Sequence, residues 1–181
     1  MPRILGERII LREYRKEDIE HMRKWVNDPE VVDFLSDIFL FPHTINITED
    51  FVNSVLKGEH KDSCNLIIAK KDTEEYLGQI DLIYIDWKNR AGEIGIVLGA
   101  AENRGKGYGT EAIKLLQRYV FNRLNLNRLE IKVRDFNIRA LRCYIKCGFK
   151  EEGRLRQNFF VNGNYTDTIV LSLLKSEYEM F

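Results

Sequence analysis

A chain of 181 residues can bury one substantial core but is short for two, so a single domain over residues 1–181 is expected. Its 44% hydrophobic and 31% charged content is that of a folded globular protein and excludes a disordered chain. Lys plus Arg and Asp plus Glu both number 28, a balance that argues against nucleic acid or an anionic membrane as the main partner.

Ile9, Leu11 and the tract to Tyr14 alternate with charged residues and read as a half-buried strand. Asp18 is placed to cap a helix whose Ile19, Met22, Trp25 and Val26 share one face. Asn27-Asp28-Pro29 breaks it, and an apolar turn follows through Val31, Val32, Phe34 and Leu35. A further helix is expected from Thr48, burying Phe51, Val52, Val55 and Leu56 and stopping at Gly58. Asn65 to Ala69, Leu77 to Trp87 and Glu93 to Leu98 read as three strands joined by polar turns. Gly107 to Leu124 reads as a long helix with Ala112, Ile113, Leu116, Tyr119 and Val120 on one side. Leu129 to Val133 is a strand, and Ile138 to Lys146 is a helix closed by Gly148. Asn162-Gly163 marks a hairpin between strands around Phe159 and Ile169. The order describes one mixed α/β (α+β type) domain, with about seven strands flanked by helices.

Cys64, Cys143 and Cys147 form no C-x-x-C pair, so a reducing compartment is expected in place of a disulfide framework. His21, His43 and His60 lie far in sequence from Cys143 and Cys147, and no metal-ligand spacing is present. Met1 to Arg8 hold no apolar core of signal-peptide length, and no apolar run reaches the ~20 residues of a membrane helix. A soluble cytoplasmic protein without metal, membrane or nucleic acid is expected.

The richest chemical signal follows Leu98. A strand runs through Gly99 to Asn103 into Arg104-Gly105-Lys106-Gly107-Tyr108-Gly109-Thr110, where a helix starts. Unpartnered N–H groups and the positive end of the helix dipole favour a phosphate there, and glycines let it approach. Arg104 and Lys106 add full positive charge. The run fits neither the Walker spacing nor G-x-G-x-x-G; it matches R-x-x-G-x-G at Arg104, Gly107 and Gly109.

Past the next strand, N-x-x-A-x-x-x-Y-x-x-x-G-F is matched at Asn137, Ala140, Tyr144, Gly148 and Phe149. With the loop, this resembles the GNAT superfamily of N-acetyltransferases over essentially the whole chain. Within it, the chain is most similar to the branch of ribosomal-protein N-terminal and spermidine N-acetyltransferases, and the stretches Leu77 to Ile83, Cys147 to Gly153 and Phe159 to Asp167 look especially like the spermidine enzymes.

The resemblance implies a sheet splayed between the strand at Glu93 to Leu98 and that at Leu129 to Val133. Acetyl-CoA, the implied co-substrate, would pair its pantetheine with the backbone of Ile96, Val97 and Leu98 and place its pyrophosphate on Arg104 to Thr110. Ala140, Asn137, Tyr144 and Lys146 would complete the cofactor site, with Arg139 a further candidate for the outer phosphate. Tyr144 is the implied general acid, since a phenol of pKa ~10 keeps its proton at neutral pH. Asn137 can also cap the helix that starts at Ile138. An ammonium of pKa ~10.4 must lose a proton before it attacks, so a base is expected, directly or through water. Glu93 is the first candidate and Asp81 the second. Cys143 and Cys147 read as packing residues.

The resemblance implies a small-molecule amine as acceptor, a polyamine or amino sugar among the options, or alternatively a peptide N-terminus. A CoA-binding module without catalysis is the reading of another class, and the presence of Tyr144 argues against it. Asp33 to Pro42 holds only Asp33 and Asp37 as acids, a departure from the acidic cluster of the spermidine enzymes that weighs against a polyamine. Its apolar residues could line a pocket, cover the site or contact another subunit. A homo-oligomer is expected by inheritance from branch relatives.

Overall fold

The computed structural model describes residues 3–178, so both ends of the expected 1–181 span lie outside the described residues. The chain runs β1 (Ile4–Leu5), β2 (Ile9–Arg12), α1 (Asp18–Met22), α2 (Pro29–Val32), α3 (Ile45–Leu56), β3 (Cys64–Lys70), β4 (Tyr76–Asp86) and β5 (Ala91–Leu98). It continues through α4 (Tyr108–Asn122), β6 (Arg128–Arg134), α5 (Ile138–Lys146), β7 (Lys150–Val161) and β8 (Asn164–Leu174). The strands form one eight-stranded sheet in the order β1-β2-β3-β4-β5-β6-β8-β7. The strand beyond the expected seven is β1, too short to read from periodicity, which pairs Ile4 with Leu11 and Leu5 with Ile10.

Alternating strand residues feed two apolar layers. Leu66 and Ile68 of β3 face α4 and α5, where Ala112, Ile113, Leu116 and Val120 are buried; Ile67 and Ala69 face Met22, Trp25 and Val52 on the α1–α3 side. Strand β2 is buried at all four residues, not half-buried as its alternation suggested. Arg12 can be buried because Asp18 takes its guanidinium in a two-pronged pair at 2.9 and 2.7 Å. Asp18 also accepts the Arg15 N–H at 2.8 Å. It is therefore committed to that pair and stands as the first residue of α1; Glu17 precedes it as a cap without a side-chain bond.

Helix α1 stops at Met22, and Trp25 is buried in the following turn with its indole N–H on the Tyr76 hydroxyl at 3.0 Å. Helix α3 starts three residues before the expected Thr48, because Thr44 supplies the cap, accepting the Ile47 N–H. Thr48 is instead buried inside the helix, and of the expected apolar face Leu56 is exposed. Asn162 and Gly163, with φ of 50° and 80°, make the β7–β8 turn in the left-handed region that Asn-Gly favours.

The feature that positions the site lies at mid-sheet. Strands β5 and β6 pair in parallel only from Ala91↔Arg128 to Ile94↔Ile131. Beyond Ile94, β5 stays paired to β4 as far as Leu98, while β6 stays paired to β8 as far as Arg134. The sheet opens into a V whose arms are Gly95–Leu98 and Lys132–Arg134.

Candidate active site

The loop after β5 enters α4 through two left-handed glycines, Gly105 at φ 77° and Gly107 at φ 85°. Gly107 is the N-cap and has no side chain to accept the first-turn N–H groups, which stay available to an anion. Glu111, the acid of that turn, is drawn aside by Arg8, whose N–H and Nε it accepts at 2.9 and 3.0 Å. Arg8 also donates to the Lys106 carbonyl at 2.9 Å and stacks over the Tyr108 ring at 5.0 Å, so it clamps the loop from behind.

A cleft of about 360 Å³ lies between this loop, the open edge of β5 and α5. Ile96, Val97, Leu98, Arg104, Gly105, Gly107, Gly109, Thr110, Asn137, Ala140, Tyr144 and Lys146 all line it, as do Arg139, Arg142 and Cys143. Lys106 and Tyr108 are not among its lining: the Lys106 side chain is exposed and the Tyr108 ring faces Arg8. Arg104 reaches back toward the carbonyls of Leu98 and Gly99 at 3.5 and 3.3 Å, which holds its charge at the cleft.

A second cleft of about 340 Å³ lies on the α1–α3 side of the V. Trp25, Phe34, Leu35 and Phe39 form its apolar wall, Gln79 and Asp81 come from β4, and Lys132 and Arg134 from β6. Phe34, Leu35, Ile96, Val97, Asn137 and Tyr144 line both clefts, so the two meet where the sheet opens.

At that junction Tyr144 is buried, and desolvation pushes its phenol above the ordinary value. Asn137 caps α5 by accepting the Ala140 N–H at 3.2 Å, which fixes the helix that carries Tyr144. Cys147 packs in the core and Cys143 half-buries beside it, 3.3 Å from the Thr110 hydroxyl. A hydrogen bond with Cys147 pulls the Cys143 thiol below its ordinary value.

The two candidate bases sit differently. Glu93 accepts Lys132 Nζ at 2.9 Å at the mouth of the second cleft. Asp81 is buried, and desolvation raises its carboxyl to about 7 despite hydrogen bonds from the Leu66 N–H, Asn65, Gln79 and Tyr14. A carboxyl near neutrality facing a cleft is the sort of group that moves protons.

Sequence reading missed Gln79, Arg134, Arg142 and the second-cleft role of Phe39. Their residue types are ordinary, and only the V and the α2–α3 connection bring them together. The apolar run there divides: Phe34, Leu35 and Phe39 turn to the clefts, while Leu40 and Phe41 are exposed. No helix is long and apolar enough to cross a membrane among the described residues.

Comparison with known proteins agrees with this geometry. A family model described as an acetyltransferase (GNAT) domain matches residues 8–150. The chain is 32% identical to an N-acetyltransferase of Bacillus licheniformis named p20, over 98% of this chain and 99% of that one. The crystal structure of spermidine N-acetyltransferase from Vibrio cholerae in complex with CoA and spermine superposes with a TM-score of 0.83 at 26% identity, covering 95% of this chain and 98% of that one. A dodecameric structure of spermidine N-acetyltransferase from the same organism gives 0.79 at 26% identity, over 96% and 97%.

Proposed function

Because the chain belongs to the GNAT acetyltransferase family, we propose that it transfers an acetyl group from acetyl-CoA to a primary amine held in the second cleft. The observation that carries this reading is the meeting of two clefts at Tyr144, with a phosphate loop at the far end of one and a near-neutral carboxyl in the other.

The first cleft suits acetyl-CoA. Its pyrophosphate needs N–H donors and cations, which the α4 N-terminus, Arg104 and Lys146 supply. Its amide arm needs backbone partners, and Gly95–Leu98 have none on the β6 side. Bound there, acetyl-CoA supplies an activated thioester. The chain does the rest. Asp81 takes the proton that the ammonium must lose, directly or through water, with Glu93 at the mouth as the second candidate. The free amine attacks directly, and holding both reactants in adjoining clefts provides much of the acceleration. Backbone N–H groups of the open β5 edge steady the negative charge that develops on oxygen. Tyr144 gives its proton to the departing sulfur and, kept protonated by burial, is ready to do so across the neutral range.

Likeness to spermidine N-acetyltransferases supports a small amine, polyamines included, and the dodecameric neighbour supports assembly of several copies. A peptide N-terminus is the second reading, favoured by the apolar wall of Trp25, Phe34 and Phe39 beside the junction. The test is thiol release from acetyl-CoA with polyamines, amino sugars and N-terminal peptides, run beside Tyr144→Phe. Turnover with at least one amine class, lowered by about 10²-fold or more in Tyr144→Phe with CoA affinity unchanged, is expected. CoA binding with no turnover on any amine would leave only a binding module.

A further inference from the structure

The second cleft has an electrostatic asymmetry that a polyamine does not explain. Its β4 side presents Asp81 and Gln79, and its β6 side presents Lys132 and Arg134, two residues apart on one strand face. Between them the floor is Gly95, paired with Asp81 across β4 and β5, where no side chain separates the two walls.

Arg134 is half-buried. One Nη donates to the Thr168 hydroxyl at 2.6 Å and the other to the Leu35 carbonyl at 3.1 Å, while its plane lies 3.5 Å from the Phe159 ring centre. All three partners are neutral. No carboxylate pairs with it among the described residues, and Asp37 acts on it only at longer range. A clamp between a hydroxyl and a carbonyl does not need a charge. A half-buried cation whose hydrogen-bond partners are all neutral keeps its charge for an anion that arrives with a ligand. Lys132 does not play this part, because Glu93 and Glu130 already neutralise it.

Across the floor, the Gln79 amide aims its N–H at Asp81 Oδ2 at 3.5 Å, which turns its Oε1 away. That oxygen is buried without a partner among the described residues. An acceptor oxygen in that state is suited to an N–H of the substrate.

We propose that the acceptor carries an oxyanion, a carboxylate or a phosphate, beside its amine: Arg134 binds the oxyanion, and the amine lies over Gly95 with an N–H on Gln79 Oε1 and Asp81 next to it. This rests on the acetyltransferase reading and narrows its substrate class from amines in general to zwitterionic amines. A diamine of the same length would set its second ammonium against Arg134, a like-charge approach that the cleft disfavours.

The experiment compares ω-aminocarboxylates, aminoalkyl phosphates, diamines and uncharged alkylamines of matched chain length, by thiol release and by calorimetric binding to the CoA complex. Aminocarboxylates or aminoalkyl phosphates are expected to exceed the matched diamines by about 10- to 100-fold in kcat/KM, and the better of the two identifies the oxyanion. Arg134→Met keeps the apolar packing on Phe159 without the charge. It should lose most of that preference through KM, and Arg134→Lys should restore part of it. Diamines equal to or better than aminocarboxylates and phosphates, or a preference unchanged in Arg134→Met, would overturn the inference while leaving the acetyltransferase standing. Silence on every amine, with CoA bound, would remove both.

Discussion

Asp81→Asn separates the chemistry from the scaffold, because the two readouts move in opposite directions. In the folded chain, burial raises this carboxyl from its ordinary 3.8 to about 7. At ~1.36 kcal/mol per tenfold, holding it ionised in the fold costs about 4 kcal/mol relative to the unfolded chain. Between those two values the folded state keeps a proton that the unfolded state has released. Stability contributed by this group therefore falls as pH rises from about 4 to about 7 and is level above, with about 3 kcal/mol of the fall between pH 5 and 8. Asp81→Asn has no charge to bury, so its melting temperature relative to the parent should rise by roughly 5–10 °C on going from pH 5 to pH 8.

Activity should do the reverse. With Asp81 as base, kcat/KM for the amine climbs with unit slope up to about pH 7, then follows only the ionisation of the amine itself. Asp81→Asn should lose the limb near 7 and about 10²- to 10⁴-fold of kcat/KM above it. Tyr14 and Tyr76 on the same face, and Cys64 on the opposite face of the sheet, are all pushed above their ordinary values by burial and stay protonated in this range. His21 stacks on Tyr76 at 5.3 Å and His43 on Phe39 at 4.8 Å, so His21→Gln and His43→Gln are the controls and should keep the limb. Profiles are measured from pH 5.5 to 9 at constant ionic strength and saturating acetyl-CoA. A limb near 7 that persists in Asp81→Asn, with activity within about threefold of the parent, would refute the assignment and return the role to Glu93.

Gly107→Ala forces a Cβ into φ 85° and toward Arg8 Nη2 at 3.2 Å; it should cost about 1–2 kcal/mol of stability in a thermal melt and weaken CoA binding by calorimetry. Gly95→Val places its Cβ no closer than 3.5 Å to Ile83, so the chain should fold; it should raise the amine KM about tenfold or more with CoA affinity unchanged. Asp18→Ala strands the buried Arg12 guanidinium and should lower stability by about 3–5 kcal/mol in urea titration, with the loss independent of bound CoA.

What could be read before the fold was known tracks how local each determinant is. The Asn162-Gly163 turn, the stop at Gly148 and the glycine entry to α4 depend on the φ of single residues, and each lies where its chemistry placed it. Caps are nearly as local, but they compete: Thr44 and Thr48 both suit a helix start, and burial of Thr48 beneath Arg23 decides for Thr44. Asp18 lost its cap role for the same reason, since a strand residue, Arg12, claimed the carboxylate. Depth is not local at all. Alternation marks Asp81 as facing one side of β4, yet only burial, which outweighs the hydrogen bonds from Leu66, Gln79 and Tyr14, makes the carboxyl near-neutral. The V between β5 and β6 has no signature in either strand, because each is fully paired on its other edge. The motif residues of the donor side were legible since glycines and a helix N-terminus act through backbone. The second cleft, where Gln79, Asp81 and Arg134 meet across an opening in the sheet, exists only once the strands have separated. Substrate choice is therefore the part of this protein's function that the fold, more than any motif, decides.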